Sequence, residues 1–300
     1  MADTVVRVGE RQLTLSNLDK VLYPNGFTKA EVVDYMARIA PVALAHWSHR
    51  ALTFKRFPDG THTDGFFEKR CPGHRPEWVE VALGPGDRRG GIEYCCINEP
   101  AAAVWAANMA AIEIHAPMAH ADDIDTPRAV VFDFDPGAPA TLVECCEVAL
   151  TTRDVLDAVG LVGWCKTSGS KGLQMYVPLN TPGATHDGCA DFALAVGQVV
   201  ERQLPGRVTT VMAKAVRPGK VFVDWSQNAH HKTTIAPYSL RARDTPTVST
   251  PVTWDEVAAI ADGEIDGRFE AADVLARVDA DGDLFAEVAT RGQRLPSTAG

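Results

Sequence analysis

Val130-Val131-Phe132-Asp133-Phe134-Asp135-Pro136-Gly137 alternates apolar and acidic residues and then stops at a Pro-Gly pair. On a strand, residues i and i+2 face the same way. Phe132 and Phe134 therefore turn toward a core, while Asp133 and Asp135 share the opposite face with Val131. Two carboxylates on one strand end repel each other unless a cation or a base compensates. Hard oxygen donors of this kind suit magnesium or manganese. A lone pair of this spacing also fits two solvated acids at a strand end. A second apolar run that ends in an acid, Val221-Phe222-Val223-Asp224-Trp225, adds a third carboxylate. Three carboxylates from two strands can hold two metal ions, which activate an attacking hydroxyl and stabilise a leaving pyrophosphate.

Around these strands the pattern mixes both periods. Helical spacing is predicted over Thr28–Leu44, with Thr28 as N-cap and Glu31 three residues on, and over Ala101–Ile112, Thr141–Val159, Phe192–Gln203 and Trp254–Asp262. Strands are predicted at Leu52–Arg56, Tyr94–Ile97, Val130–Asp135, Leu173–Pro178 and Val221–Trp225. No regular βαβ repeat appears. The expectation is an α+β fold with a central, mostly antiparallel sheet flanked by helices, forming a single domain over 1–300 with a sub-domain boundary near 122–127.

Charge is unevenly spread. The net charge is −10, yet residues 205–243 carry 7 Lys/Arg against one acid, Asp224. Residues 113–157 carry 10 acids and 2 bases, and the acidic C-terminal segment 244–300 carries 12 acids and 4 bases. An acidic segment able to hold metal thus lies beside a basic one able to meet phosphate. The seven cysteines show no CxxC spacing, so they are expected as reduced, packed thiols rather than a zinc site. No apolar run is long enough for a membrane span, and the first ten residues lack a signal-peptide layout. The expected location is cytoplasmic, without a membrane partner.

Thr167-Ser168-Gly169-Ser170-Lys171-Gly172-Leu173 is a small-residue turn carrying one lysine. Such a turn suits phosphate as well as it suits an ordinary strand entry, and it is not a Walker A loop.

Six runs in order carry a family resemblance: Ser16–Pro24 (SNLDKVLYP), Thr53–Gly60 (TFKRFPDG), Phe66–Lys69 (FFEK), Val131–Gly137 (VFDFDPG), Ser168–Leu173 (SGSKGL) and Phe222–Asn228 (FVDWSQN). Together they make the chain resemble the polymerase domain of bacterial DNA ligase D, of the archaeo-eukaryotic primase superfamily, in a stand-alone form. The resemblance covers about residues 10–260 and implies a primase-like fold.

The resemblance implies that Asp133, Asp135 and Asp224 ligate two Mn2+ or Mg2+ ions. It implies that Ser168, Lys171, Arg241 and Arg243 hold an incoming triphosphate, that His115 contacts the nucleotide with Gln227 near it, and that Lys55 and Arg217 line the active site. Asn17, Lys20 and Lys29 would bind a 5′-phosphate at a gap or end, and Phe66 and Phe67 would stack on template bases. Gln174 stands where the family usually has histidine, and is expected beside the triphosphate as a neutral donor. Ala116-Pro117-Met118 stands where many relatives carry a tryptophan.

The function implied is a metal-dependent nucleotidyltransferase, a primase-polymerase, in end joining or gap repair. It would add nucleoside triphosphates, ribonucleotides included, to 3′ ends at gapped or broken DNA bearing a 5′-phosphate. A separate ATP-dependent ligase and a Ku-like protein are the implied partners. Two other readings compete: a catalytically weakened binding module for 5′-phosphate DNA ends, and a metal-dependent phosphoesterase.

Overall fold

The computed structural model describes residues 3–84 and 91–296, so the last four residues of the acidic segment 244–300 lie outside it. The chain builds two compact units and crosses between them five times, first at Asp122/Asp123. The first unit begins with β1 (Thr4–Val8), β2 (Arg11–Leu15), α1 (Lys29–Trp47), β3 (Thr53–Arg56) and β4 (Phe66–Glu68). It continues with β5 (Val81–Gly84), β6 (Ile92–Cys95), α2 (Pro100–Asn108), β7 (Ala111–Ala116) and β8 (Ala119–His120). The second unit then takes β9 (Asp123–Pro127), β10 (Ala129–Pro136), α3 (Leu142–Asp157), β11 (Trp164–Thr167), β12 (Leu173–Pro178), α4 (His186–Gln203), β13 (Val208–Thr209) and β14 (Val221–Asp224). The chain returns to the first unit for β15 (Thr234–Ile235) and to the second for β16 (Pro251–Val252) and α5 (Trp254–Ala261). It ends with α6 (Ala271–Asp281) in the first and α7 (Ala286–Thr290) in the second.

The architecture is α+β with mostly antiparallel sheets, but in place of one central sheet the described residues form two large sheets and three two-stranded ones. The first unit holds a four-stranded sheet in the order β15-β7-β3-β4, all antiparallel. Its core joins Tyr35, Met36 and Ile39 of α1 to Phe54, Ile112 and Ile114. Helix α1 starts with the expected capping box, in which Thr28 and Glu31 satisfy each other's backbone amides.

The second unit holds a six-stranded sheet in the order β13-β14-β10-β12-β11-β16, antiparallel except for β13 with β14. Strand β10 lies inside it, and Phe132 and Phe134 are fully buried as the alternation requires. Phe132 meets Phe192 of α4 edge-on. Thr141 caps α3 with Glu144 in a second capping box.

Two further expectations need correction. The helix expected over Ala101–Ile112 ends at Asn108, because Ala110 takes a left-handed φ of 56° and turns the chain into β7. The thiols are not all reduced: Cys71 and Cys95 form a disulfide. The Cys71 amide donates to the Glu93 carbonyl, which draws its loop onto β6 and brings the two Cα atoms to 4.8 Å. Cys96, Cys145, Cys146, Cys165 and Cys189 are free and buried. Among the described residues no helix is long and apolar enough to cross a membrane.

Candidate metal centre and nucleotide-binding groups

Strand register creates the acidic cluster in the second unit. Asp133 on β10 is the direct cross-strand partner of Asp224 on β14, and Asp135 follows two residues on, on the same face. One carboxylate oxygen from each lies within 4.8 Å of the others. Burial first, then the charge of Asp135, pushes Asp133 up to about 7; Gln174 and Lys166 pull it back, and Asp224 adds to the rise. Burial and Asp224 raise Asp135 as well, with Arg217 opposing. Three hard oxygen donors that repel one another at this spacing fit a divalent cation, which relieves the repulsion.

The motif Asp224-Trp225-Ser226-Gln227-Asn228 works as a single clamp. Ser226 donates to Asp224 Oδ1 through both its backbone amide (3.1 Å) and its hydroxyl (2.6 Å). Gln227 Nε2 donates to Oδ2 at 2.9 Å. Asn228 exchanges two hydrogen bonds with the backbone of Val131, at 2.8 Å each, and so ties the clamp to β10. Trp225 Nε1 reaches the Thr210 carbonyl. Gln227, expected near the nucleotide, is thus held on the carboxylate of Asp224.

Two glycines let neighbouring turns close on β10. A Cβ on Gly137 would collide with the Arg217 carbonyl, and one on Gly172 with the Phe134 carbonyl. The Gly137 contact seats the 217–220 turn, where the Arg217 guanidinium lies 3.6 Å from the centre of the Phe222 ring. The Gly172 contact seats the 168–172 turn, which folds around Ser168: its Oγ accepts from the amides of Ser170 (3.2 Å) and Gly172 (3.1 Å). Lys171 stands exposed at the tip.

In the first unit a second cluster forms around Glu113, a buried acid in β7 that the sequence reading passed over. Its signal is an acid inside an otherwise apolar strand, Ala111-Ile112-Glu113-Ile114. His115 Nε2 donates to one carboxylate oxygen at 3.0 Å. Arg241 Nε (3.1 Å) and the Ala242 amide (3.2 Å) donate to the other. Burial alone would raise this carboxyl, but the His115 hydrogen bond and the Arg241 charge hold it at about 2. Lys55 is the register partner of both Glu113 and Phe67, with its ammonium 5.4 Å from the Phe67 ring centre. Arg241 and Arg243 do not share a strand; they lie in a turn where the Arg243 amide donates to the Arg241 carbonyl.

Phe66 and Phe67 are 45% and 59% exposed, which suits stacking surfaces rather than core. Asn17, Lys20 and Lys29 come together at one turn. The Lys20 amide donates to the Asn17 carbonyl, the Lys29 amide to the Lys20 carbonyl, and Asn17 takes a φ of 52°. Lys29 is buried with Nζ on the Ser16 carbonyl at 2.6 Å; burial, then the charges of Lys20 and Arg56, lower its affinity for a proton. Lys20 Nζ pairs with Asp59 at the surface.

Comparison with known proteins follows the same lines. Residues 28–285 match the family described as "LigD, primase-polymerase domain". A Mycolicibacterium smegmatis protein, "Multifunctional non-homologous end joining protein LigD", is 44% identical over 279 residues, which span 92% of this chain and 36% of that protein. A Bacillus subtilis "Bifunctional non-homologous end joining protein LigD" is 29% identical over 82% of this chain and 39% of its own length. The chain thus spans little more than a third of these relatives. The solved "Polymerase Domain from Mycobacterium tuberculosis Ligase D in complex with DNA" superposes with a TM-score of 0.86 at 39% identity, covering 94% of this chain and 99% of that one.

Proposed function

The chain belongs to the LigD primase-polymerase family, and from that premise we propose that it is a metal-dependent nucleotidyltransferase. It extends 3′ ends at DNA gaps or double-strand breaks that carry a 5′-phosphate, accepting ribonucleotides as well as deoxyribonucleotides. The observation that carries this reading is the convergence of Asp133, Asp135 and Asp224 within 4.8 Å, with both oxygens of Asp224 already oriented by Ser226 and Gln227.

Asp133, Asp135 and Asp224 would hold Mn2+ or Mg2+. When bound, two such ions supply a lowered pKa for the attacking 3′-hydroxyl and charge stabilisation for the leaving pyrophosphate. The protein's own part is placement. The clamp on Asp224 keeps its carboxylate fixed, and Arg217 adds a cation beside Asp135. Lys171 and Ser168 offer an ammonium and a hydroxyl to a phosphate at the 168–172 turn. In the first unit, Glu113 orients His115 and Arg241 as donors for the nucleotide, joined by Lys55 and Arg243. Asn17, Lys20 and Lys29 receive the 5′-phosphate, and Phe66 and Phe67 stack on unpaired template bases.

The test is incubation with gapped, 5′-phosphorylated DNA, Mn2+ and labelled nucleotides, read on a denaturing gel. Extension supports the proposal, with both nucleotide sets run side by side. Binding without extension favours an end-binding module, and shortening favours a phosphoesterase. Separately purified ligase and Ku-like proteins added to the same reaction test those partners.

A further inference from the structure

One row of residues crosses four neighbouring strands of the six-stranded sheet. Asp224 on β14 faces Asp133 on β10; Asp133 faces Gln174 on β12; Gln174 faces Lys166 on β11. Direct partners on adjacent strands project from the same face, so the row reads two acids, an amide and a cation. Lys166 is fully buried and Gln174 is 4% exposed. Lys166 Nζ donates to Gln174 Oε1 at 2.6 Å, and Gln174 in turn donates to Asp133.

The chemistry of the three groups fixes the direction of this chain. An ammonium has only donors, so its contact must be with the amide oxygen. The amide NH2 is thereby turned to Asp133. Gln174 was expected to reach a triphosphate, but both ends of its amide are engaged within the sheet.

We propose that Lys166 and Gln174 form a positioning relay that sets the carboxylate of Asp133 for metal binding. The proposal rests on Asp133 being a metal ligand, as argued above. The amide occupies one lone pair of the carboxylate and stops its rotation, leaving the remaining lone pairs for the ion. A lysine placed directly on Asp133 would compete with a metal for the same oxygens. With a neutral amide interposed, the carboxylate is oriented by a cation that does not itself occupy it. Partners of this outer kind change metal affinity by about 10- to 100-fold when removed.

The test measures Mn2+ affinity of the full chain by electron paramagnetic resonance of the free ion, without DNA or nucleotide, alongside thermal unfolding of the metal-free protein. The key variant is the double substitution Lys166→Met with Gln174→Leu. Apolar groups of similar size replacing a buried polar pair are commonly tolerated, so the double variant is expected to unfold near the parental temperature yet bind Mn2+ about 10- to 100-fold more weakly. A folded double variant with parental Mn2+ affinity overturns the relay and leaves the metal reading intact. A parent chain that binds no Mn2+ overturns the metal reading and the relay with it. Should the double variant not fold, Lys166→Met decides: it frees the amide to turn over, and an unchanged Mn2+ affinity overturns the relay.

Discussion

Asp133 and Asp224 occupy the same register position on adjacent antiparallel strands, so two like charges meet where opposite charges would stabilise a sheet. The arrangement costs stability until a cation arrives. In metal-free protein, Asp133→Asn is therefore expected to raise the unfolding temperature by about 1.5–2 °C, the shift that about 1 kcal/mol gives in a chain of 300 residues. The same variant should lose extension activity by several orders of magnitude while still binding DNA. Calorimetry and a primer-extension gel check both halves, and near-normal extension would remove the metal assignment.

Gly172 touches the Phe134 carbonyl so closely that no side chain fits. Gly172→Ala should push the 168–172 turn off β10, destabilising the protein by about 1–3 kcal/mol. Nucleotide affinity should fall with it, because Ser168 and Lys171 move. Denaturant unfolding and a nucleotide-binding titration measure the two effects; parental behaviour in both would show that the turn has room that the geometry denies.

Glu113 is held at about 2 against an ordinary value of 4.5. A carboxyl depressed in the folded state contributes stability that is present above its unfolded value and lost as pH falls through the folded one. The window here runs from about pH 4.5 down to about pH 2. Glu113→Gln should lower stability at pH 7 by roughly 2–3 kcal/mol, and the gap between variant and parent should shrink across that window. A gap independent of pH would mean that the carboxylate is not the group holding His115 and Arg241.

Lys20 is at the surface and Lys29 is buried on the Ser16 carbonyl. Lys20→Ala should weaken binding to 5′-phosphorylated gaps far more than to 5′-hydroxyl gaps, with little change in stability. Lys29→Ala should show the same selectivity and lower stability too, since it removes a buried donor. Fluorescence anisotropy with the two DNA ends distinguishes them; equal loss on both would make these lysines general backbone contacts.

Phe67 is mostly exposed, with the His115 ring centre 5.5 Å from its own. Phe67→Ala should leave unfolding almost unchanged and cost about 1–3 kcal/mol in binding to templates with unpaired bases. Fully duplex DNA serves as the control, and a uniform loss on both would argue against stacking.

What could be read from the sequence was what is local along the chain. The alternation Phe132-Asp133-Phe134-Asp135 is set by neighbouring residues, and so is the capping box at Thr28. Strand register is not local. That Gln174 lies between Lys166 and Asp133 depends on three strands pairing at particular offsets, and no spacing within any one of them announces it. The contact of Gln227 with Asp224 was not legible for a related reason: it depends on the 3-10 turn Trp225–Asn228 carrying the side chain back onto the carboxylate. The first two residues of β7, Ala111 and Ile112, were absorbed into a helix because the alanine-rich run before them has no clear period, and the strand that holds Glu113 went unread. The break at Ala110 uses a left-handed alanine where a glycine would have been a signal. Cys71 and Cys95 stand 24 residues apart, a distance that carries no pairing information.

The interleaved route of the chain bears on how such a protein can be dissected. The four-stranded sheet takes β15 from beyond residue 232, and its core takes Tyr238, Val248 and Val274 from later still. A gene fragment ending near Asp122 would therefore encode a polypeptide with part of its interior missing, and deletion mapping would score that damage as lost function. Neither unit is a contiguous cassette that recombination could move on its own. Permuting the termini does not separate them either, because three segments of one unit alternate with three of the other wherever the chain is opened, so either half can be isolated only by splicing its three segments together.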